Sequence, residues 1–193
     1  KSYLGFMLYD LVLRPRGQGT VYGVETRAEL VAKSRELAGR LGFERMKFLA
    51  TTVAEATTTT ELPANIDIVT ALHACDTATD DAIAFGLAKG ARFMVLVPCC
   101  QAEVAGVLRK HKALSLSHNP LAEIWRHPLH TREFGSQITN VLRCLQLEAH
   151  GYQVTVTELV GWEHAMKNEL ILARKMSGPK HSARERLAKV LQE

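Results

Sequence analysis

Residues 66–81 read IDIVTALHACDTATDD, and this stretch decides the fold of the chain. An apolar, β-branched run from Ile66 to Leu72 is followed at once by a polar cluster, residues 73–80. Such a run, bounded by polar residues, is typical of a buried strand that leads into a functional loop. The stretch therefore predicts a strand whose carboxyl end carries candidate site residues.

The same pattern recurs at residues 93–103, which read FMVLVPCCQAE. Here an apolar strand ends in Pro-Cys-Cys at residues 98–100, and a helical stretch, residues 80–90, separates the two strands. Strand, helix and strand at this spacing form a βαβ unit with two parallel, neighbouring strands. Because parallel neighbours have their carboxyl ends on the same side, we expect residues 73–76 and 98–100 to face one crevice, where open α/β sheets bind ligands.

The bulk composition is that of one soluble, mildly basic domain. The 193 residues suffice for a sizeable core, and we expect residues 1–193 to form a single domain. A formal net charge of +4 and a pI of about 9.0 permit a nucleic-acid partner. The four cysteines, at irregular spacings, do not match a secreted disulfide framework, so we expect a reduced, cytoplasmic setting. No apolar run approaches the ~20 residues that span a bilayer, so we expect no membrane partner.

Hydrophobic periodicity predicts alternating helices and strands along the rest of the chain. An opening helix is predicted from apolar positions that recur at three and four and share a face, namely Leu4, Met7, Leu8, Leu11 and Val12. Further strands are predicted at residues 20–24, 46–50, 153–160 and 169–173. The last two strands are joined by a short connection, which predicts that they are antiparallel.

Capping signals and local composition predict the remaining segments. Residues 26–29 form a capping box that opens a helix, and Thr131 is predicted to cap a long helix. Residues 57–60 are four threonines, which we interpret as a surface loop. A helix is expected over residues 101–110, and residues 111–130 are interpreted as an insertion at the mouth of the site.

The element order α-β-α-β-(α)-β-α-β-α-α-β-β fits an α/β fold. We predict three layers around a doubly wound, mostly parallel sheet that ends in an antiparallel C-terminal hairpin. Such a sheet normally begins with a strand, whereas this chain begins with a helix. We therefore expect a truncated N-terminus, with a first strand and a Gly-rich loop preceding Lys1.

Three motifs at the two strand ends resemble those of a known family. They are His73-Ala74-Cys75-Asp76, Ala78-Thr79-Asp80 and Pro98-Cys99-Cys100. Together with the element order, they resemble class I, Rossmann-like methyltransferases that depend on S-adenosylmethionine, in the branch with HxC[DG]xAxD and PCC strand-end motifs. The resemblance implies S-adenosylmethionine as cofactor, S-adenosylhomocysteine as product, and methyl transfer to an N or O acceptor without a metal. Similarity to a tRNA ribose methyltransferase family, together with the basic charge, favours RNA as the acceptor.

The resemblance also implies roles for individual residues. Glu25, at a strand end, is expected to accept hydrogen bonds from the ribose hydroxyls, because a carboxylate is a natural partner for a cis-diol. His73 or Asp76 would supply a general base where the acceptor needs one. The residues implied in cofactor binding are Glu25, Thr26, Thr52, Val53, His73 and Ala74. The residues implied in the substrate pocket are Cys75, Pro98, Cys99, Cys100, Lys167 and Asn168.

Each of these residues also has a purely structural interpretation. Glu25 could be a solvated residue at a helix start, and His73 could be a core histidine bonded to a backbone carbonyl. Asp76 and Asp80 could cap the following helix, and for Asp80 capping is the favoured interpretation. Cysteines 99 and 100 could be a nucleophile or zinc ligands, but adjacent cysteines do not suit zinc, and small buried residues are the favoured interpretation.

Two other functions use the same features. A catalytically degenerate methyltransferase fold would act as a binding or scaffold protein, and an NAD-dependent oxidoreductase would use the same Glu25. In the insertion, Trp125, His127 and His130 could stack on a base. The basic residues that could contact phosphates are Arg14, Arg16, Arg126, Arg132 and the tail 180–189.

Overall fold

The structure is a computed structural model. It describes residues 3–74, 77–98, 104–106, 124, 126–161, 163, 168–176, 178 and 181–192, with His73 and Gln192 described by their backbone alone. The chain divides into two compact units, Lys1–Ala64 and Asn65–Glu193. The predictions that fall outside the described residues are those for Cys75, Asp76, Cys99, Cys100, Lys167 and most of 101–125. The prediction of a single domain stays a prediction.

The first unit contains a two-stranded parallel sheet with three helices. Its elements are α1 (Tyr3–Leu8), which continues as a π-helical segment (Tyr9–Leu13), β1 (Val21–Glu25), α2 (Ala28–Arg40), β2 (Met46–Ala50) and α3 (Val53–Thr58). The parallel register begins with Val21 opposite Met46 and ends with Glu25 opposite Ala50. Both strands therefore lie where the hydrophobic pattern predicts them.

The opening helix buries a different face from the predicted one. Tyr9 is buried in the core of the unit, where its ring centroid lies 4.7 Å from that of Phe43. Met7 and Leu11, which the periodicity places on the buried face, are 58 % and 69 % exposed. The π-helical segment and the large aromatic surface of Tyr9 explain the difference, because burying an aromatic ring stabilises more than burying Met or Leu.

A helix replaces the loop predicted at the threonine run. Thr52 and Glu55 form a capping box at the start of α3, with the Glu55 N–H donating to Thr52 Oγ1 at 3.1 Å. Thr57 then donates its hydroxyl to the Val53 carbonyl one turn earlier, at 3.0 Å. The prediction of a loop at residues 57–60 is therefore wrong for Thr57 and Thr58. Side-chain bonds to the preceding turn allow threonine to lie in a helix.

The second unit contains a four-stranded mixed sheet. Its elements are β3 (Ile68–Ala74), α4 (Ala78–Ala88), β4 (Phe93–Pro98), α5 (Pro128–Ala149), β5 (Tyr152–Glu158), β6 (Glu169–Lys175) and α6 (His181–Gln192). The strand order is β3-β4-β6-β5. β3 and β4 are parallel, whereas β6 is antiparallel to both β4 and β5. The βαβ unit and the antiparallel hairpin are confirmed, but the sheet is mixed rather than mostly parallel because β6 opposes both neighbours.

Two helices begin at other residues than the predicted ones. α2 begins after its N-cap Arg27, while the Thr26 hydroxyl donates to the Glu25 carboxylate at 3.4 Å instead of capping the helix. α5 begins at Pro128, three residues before the predicted cap. Proline suits the first helical position because the N–H it lacks has no intrahelical partner there. Thr131 lies inside α5, where its hydroxyl donates to the His127 carbonyl at 3.2 Å.

The core of the second unit includes residues of the two central strands, β4 and β6. Met94, Leu96 and Ile171 are fully buried. α4 packs closely on β4, since a Cβ on Gly86 would lie 2.6 Å from the Met94 Cε. A side chain at position 86 would therefore require the end of the Met94 side chain to move. None of the helices that the structure describes is long and apolar enough to cross a bilayer.

Candidate functional site

The carboxyl ends of β3 and β4 lie side by side. Their parallel register ends with Ala74 opposite Pro98, which confirms the expected adjacency for these two predicted site residues. The register shifts between Leu72 and Ala74, so the backbone irregularity falls at His73. Irregularities of this kind are frequent next to active sites, where they change the direction of a side chain. The strand end therefore has the backbone features expected of a site.

The first turn of α4 is bonded directly to the end of β3. Thr79 is fully buried, and its hydroxyl donates to the Ala74 carbonyl at 2.7 Å. This bond gives the Ala74 carbonyl a hydrogen-bond donor at the end of the strand. It also fixes the direction in which the chain leaves β3, next to a residue predicted to bind the cofactor.

Asp80 forms an ion pair instead of capping α4, so the capping interpretation is wrong. Its carboxylate accepts two hydrogen bonds from Arg143 on α5, from Nε at 2.8 Å and from Nη2 at 2.6 Å. The Arg143 side chain is 2 % exposed, whereas that of Asp80 is 42 % exposed. A guanidinium at this depth needs a charged partner, and a bidentate carboxylate is its best match. Thr77 is the N-cap of α4.

The polar chain continues from Arg143 to the start of β6. Arg143 Nη1 donates to Asn140 Oδ1 at 3.2 Å, and Asn140 Nδ2 donates to Glu169 Oε2 at 2.8 Å. α4, α5 and β6 are therefore joined by one network of charged and amide groups. The network therefore reaches from the first turn of α4 to the first residue of β6.

Asn168 has a structural role in the described residues. Its side-chain amide donates to the Val160 carbonyl, and its own carbonyl accepts from the Leu159 N–H at 2.8 Å. Asn168 is nearly buried. These bonds close the loop between β5 and β6. Its predicted place in a substrate pocket stays a prediction.

Glu25 is positioned as expected, at the carboxyl end of β1. Its Oε1 accepts from the Arg27 N–H and Nε, both at 3.1 Å, and from the Thr26 hydroxyl at 3.4 Å. Its Oε2 accepts from Arg27 Nη2 at 3.1 Å. The carboxylate is therefore held in a bidentate pair with a residue two positions later in the chain.

The Arg27 side chain and its backbone N–H lower the pKa of Glu25 from its ordinary value of 4.5 to about 2. The ion pair favours the charged form, while partial burial opposes it. Glu25 is consequently a carboxylate throughout the physiological pH range. A permanent acceptor is what binding to ribose hydroxyls requires.

Thr52 and Val53 follow β2, whose last residue, Ala50, is paired with Glu25. The Thr51 N–H donates to the Glu25 carbonyl at 3.2 Å, which extends the parallel pairing by one bond. Both the hydroxyl and the N–H of Thr52 bond to the Glu55 carboxylate, at 2.9 and 3.0 Å. The Thr52 N–H and the hydroxyls of Thr51 and Thr52 donate to this carboxylate and hold the pKa of Glu55 below its usual value. The predicted cofactor residue Thr52 thus also caps α3.

Two cavities lie away from the predicted site residues. A cavity of about 560 Å³ is lined by Arg35, Ala38, Gly39, Gly42, Phe43, Glu44, Met46, Lys47 and Phe48. A second, of about 280 Å³, is lined by Asn140, Val141, Cys144, Leu145, Glu148, Val156, Glu169 and Arg186. Burial, reinforced by Glu169 and Glu148, raises the pKa of the Cys144 thiol to about 11. This thiol stays protonated at neutral pH and is unsuited to act as a nucleophile.

Sequence reasoning missed the two arginines that organise these segments. Arg143 lies in a helix whose pattern indicates a buried face, and an arginine there signals a buried ion pair because an isolated buried charge is costly. Asp80 is its partner, but the pair is separated by 63 residues. Arg27 follows Glu25 within the predicted capping box, and its proximity to a strand-end carboxylate is the signal that was available.

The described residues form a mixed α/β fold in which β1 and β2, and separately β3 and β4, are parallel neighbours. A family model described as a methyltransferase domain matches residues 1–107, which is more than half of the 193-residue chain and runs from α1 through β4. The chain belongs to this methyltransferase-domain family. A search of curated proteins finds no match.

Proposed function

We propose that this methyltransferase domain transfers a methyl group from S-adenosylmethionine to an N or O acceptor, within a Rossmann-like fold. The family match supports the reaction class. The observation that carries the choice of cofactor is the ionised Glu25 carboxylate at the carboxyl end of β1. Carboxylates in this position bind ribose hydroxyls in dinucleotide folds, and the adenosyl group of S-adenosylmethionine presents the same diol.

The remaining cofactor residues keep the roles that the resemblance implies. Thr26 adjoins the carboxylate that would bind the ribose, and Thr52 and Val53 would lie near the adenine. His73 and Ala74 would flank the sulfonium. The register shift at His73 and the bond from Thr79 to Ala74 support a specialised conformation at this strand end. Six residues in the segments around it are proposed to shape the acceptor pocket, namely Cys75, Pro98, Cys99, Cys100, Lys167 and Asn168.

When bound, S-adenosylmethionine supplies an electrophilic methyl on a positively charged sulfur and leaves as a neutral thioether. The residues of the chain have little covalent chemistry to perform, and their main task is to align the acceptor in line with the carbon–sulfur bond and exclude water. The acceptor must also lose a proton. His73 or Asp76 is proposed to take that proton when the acceptor is not already a free base.

Glu25→Gln tests the proposal by removing one charge at nearly constant size. Calorimetric titration of S-adenosylhomocysteine into the native protein, with any residues that precede Lys1, should show one-to-one binding. Loss of a charged acceptor should weaken this binding by roughly 1.5–3 kcal/mol, or about 10- to 150-fold in the dissociation constant. Glu29→Gln is the matched control, because it removes the same charge from an exposed residue of α2.

The titration also separates the enzyme from the scaffold alternative. A folded native protein that does not bind S-adenosylhomocysteine would overturn the proposed function and favour a degenerate fold with another ligand. Equal binding by the native protein and Glu25→Gln would remove Glu25 from the site. Binding of NAD in preference to S-adenosylhomocysteine would move the protein to the oxidoreductases.

RNA is proposed as the acceptor class. Support comes from the basic net charge of +4 and from the implied likeness to a tRNA methyltransferase family. Protein and small-molecule acceptors are the competing outcomes of a labelling experiment.

A further inference from the structure

The Glu25 carboxylate already has most of its acceptor positions filled. A carboxylate offers about four lone-pair positions, two on each oxygen. The two positions on Oε1 are filled by the Arg27 N–H and the Arg27 Nε, both at 3.1 Å, and the Thr26 hydroxyl is a longer third contact at 3.4 Å. Oε2 receives Arg27 Nη2 at 3.1 Å. Within the described part of the chain, this leaves one position on Oε2. A vicinal diol brings two hydroxyl donors, so it needs at least one position that is now occupied.

The Arg27 guanidinium is the donor that can leave most easily. Its side chain is 64 % exposed, whereas that of Glu25 is 26 % exposed. An exposed ion pair is weak, because water and salt screen it and a long side chain loses conformational freedom when it is held. The Arg27 N–H, in contrast, belongs to the N-cap position of α2 and is fixed by the backbone. Opening the pair therefore frees one position on each carboxylate oxygen without moving the helix, while the Arg27 N–H stays on Oε1.

We propose that the Arg27 guanidinium competes with the ribose diol of the cofactor for the Glu25 carboxylate, which makes Arg27 an affinity-determining residue. This inference rests on the proposed function, since it assigns Glu25 to the ribose. Each binding event must break the bidentate pair before the diol can bond to both oxygens. The pair thus lowers cofactor affinity by the free energy of one exposed ion pair.

Arg27→Ala tests the competition by calorimetric titration of S-adenosylhomocysteine. The dissociation constant should fall about two- to fivefold, which is the range expected for an exposed ion pair. Arg92→Ala is the matched control. Arg92 pairs with Asp67 at 3.6 Å, with side chains 72 % and 81 % exposed, so this variant removes the same charge and another exposed pair. Its dissociation constant should equal that of the native protein.

A double variant shows whether the effect passes through the carboxylate. In the Glu25→Gln background, Arg27→Ala should no longer tighten binding, because the bidentate pair is already absent. If Arg27→Ala also tightens binding in the Glu25→Gln background, the effect comes from removing a positive charge near the ligand and does not pass through the Glu25 carboxylate. That result would overturn the competition.

The outcomes separate the inference from the function it rests on. One possible outcome is that the native protein binds S-adenosylhomocysteine, that Glu25→Gln weakens this binding, and that Arg27→Ala leaves it unchanged or weaker. The competition would then be overturned, whereas the proposed function would stand. If neither the folded native protein nor folded Arg27→Ala binds, both are overturned. Binding by Arg27→Ala alone would support the competition in its strongest form.

Discussion

At the scale of single residues, the pKa of Glu25 depends on a neighbour two positions away. Glu25 is the last residue of β1 and Arg27 is the N-cap of α2. The Arg27 guanidinium donates to both oxygens of the Glu25 carboxylate. The result is a carboxylate whose pKa is about 2, although it is only partly buried. The local pair with Arg27, and not burial, lowers the pKa of this residue, because burial acts in the opposite direction.

A pH titration of Glu25, monitored by carboxyl-detected NMR, should therefore have its midpoint near 2, whereas an ordinary glutamate titrates at 4.5. Because the folded pKa is the lower one, the pair stabilises the fold above about 4.5, and this contribution is lost as the pH falls towards 2. Arg27→Ala should raise the midpoint towards 4.5, whereas Arg14→Ala should not move it. A native midpoint near 4.5 would contradict the ion pair.

At the scale of secondary-structure elements, α4 is anchored twice at its first turn. Thr79 bonds the end of β3, and Asp80 bonds Arg143 on α5. The first bond is local, whereas the second connects elements that are far apart in the chain. Together they keep the start of α4 in register with the strand end that carries the predicted site residues.

Asp80→Asn should destabilise the fold by about 2–3 kcal/mol in urea unfolding, because a guanidinium that is 2 % exposed loses its charged partner. The expected loss lies below that of a fully buried pair, since water reaches Asp80. Asp67→Asn is the control: it breaks a pair with Arg92 whose side chains are 72 % and 81 % exposed, and it should cost less than about 1 kcal/mol. Similar losses in both variants would show that the Arg143 pair is not a special anchor.

At the scale of the whole molecule, charge and the family bear on the acceptor. The chain has 24 basic and 20 acidic residues. Such an excess supports weak attraction to a polyanion but carries no sequence information. The acceptor class therefore has to be tested by the transfer reaction itself.

With S-adenosylmethionine labelled in the methyl group, the label should enter the small-RNA fraction of a cell extract and disappear on ribonuclease treatment. Because binding to phosphates releases counterions, incorporation should fall steeply as salt is raised from about 50 to 200 mM. Glu25→Gln should reduce the label at every salt concentration. Label that survives ribonuclease and stays with protein or small molecules would remove RNA as the acceptor.

Local pattern determined the regular elements of this protein. The strands at residues 46–50 and 169–173, the parallel βαβ unit and the antiparallel hairpin follow from hydrophobic periods and connection lengths. These features depend on neighbours within one element, so they can be read along the chain. The position of Glu25 at a strand end follows from the same reasoning.

Tertiary structure decided which partners the side chains chose. The sequence by itself did not show that Tyr9 would be buried in place of Leu11, that β6 would separate β4 from β5, or that Asp80 would pair with Arg143. In each case, distant segments of the chain offer alternative contacts for the same side chain or strand. The arrangement that forms is the one that buries the largest ring or leaves no charge unpaired. Such comparisons exist only when the chain is folded, because burial and pairing depend on neighbours in space.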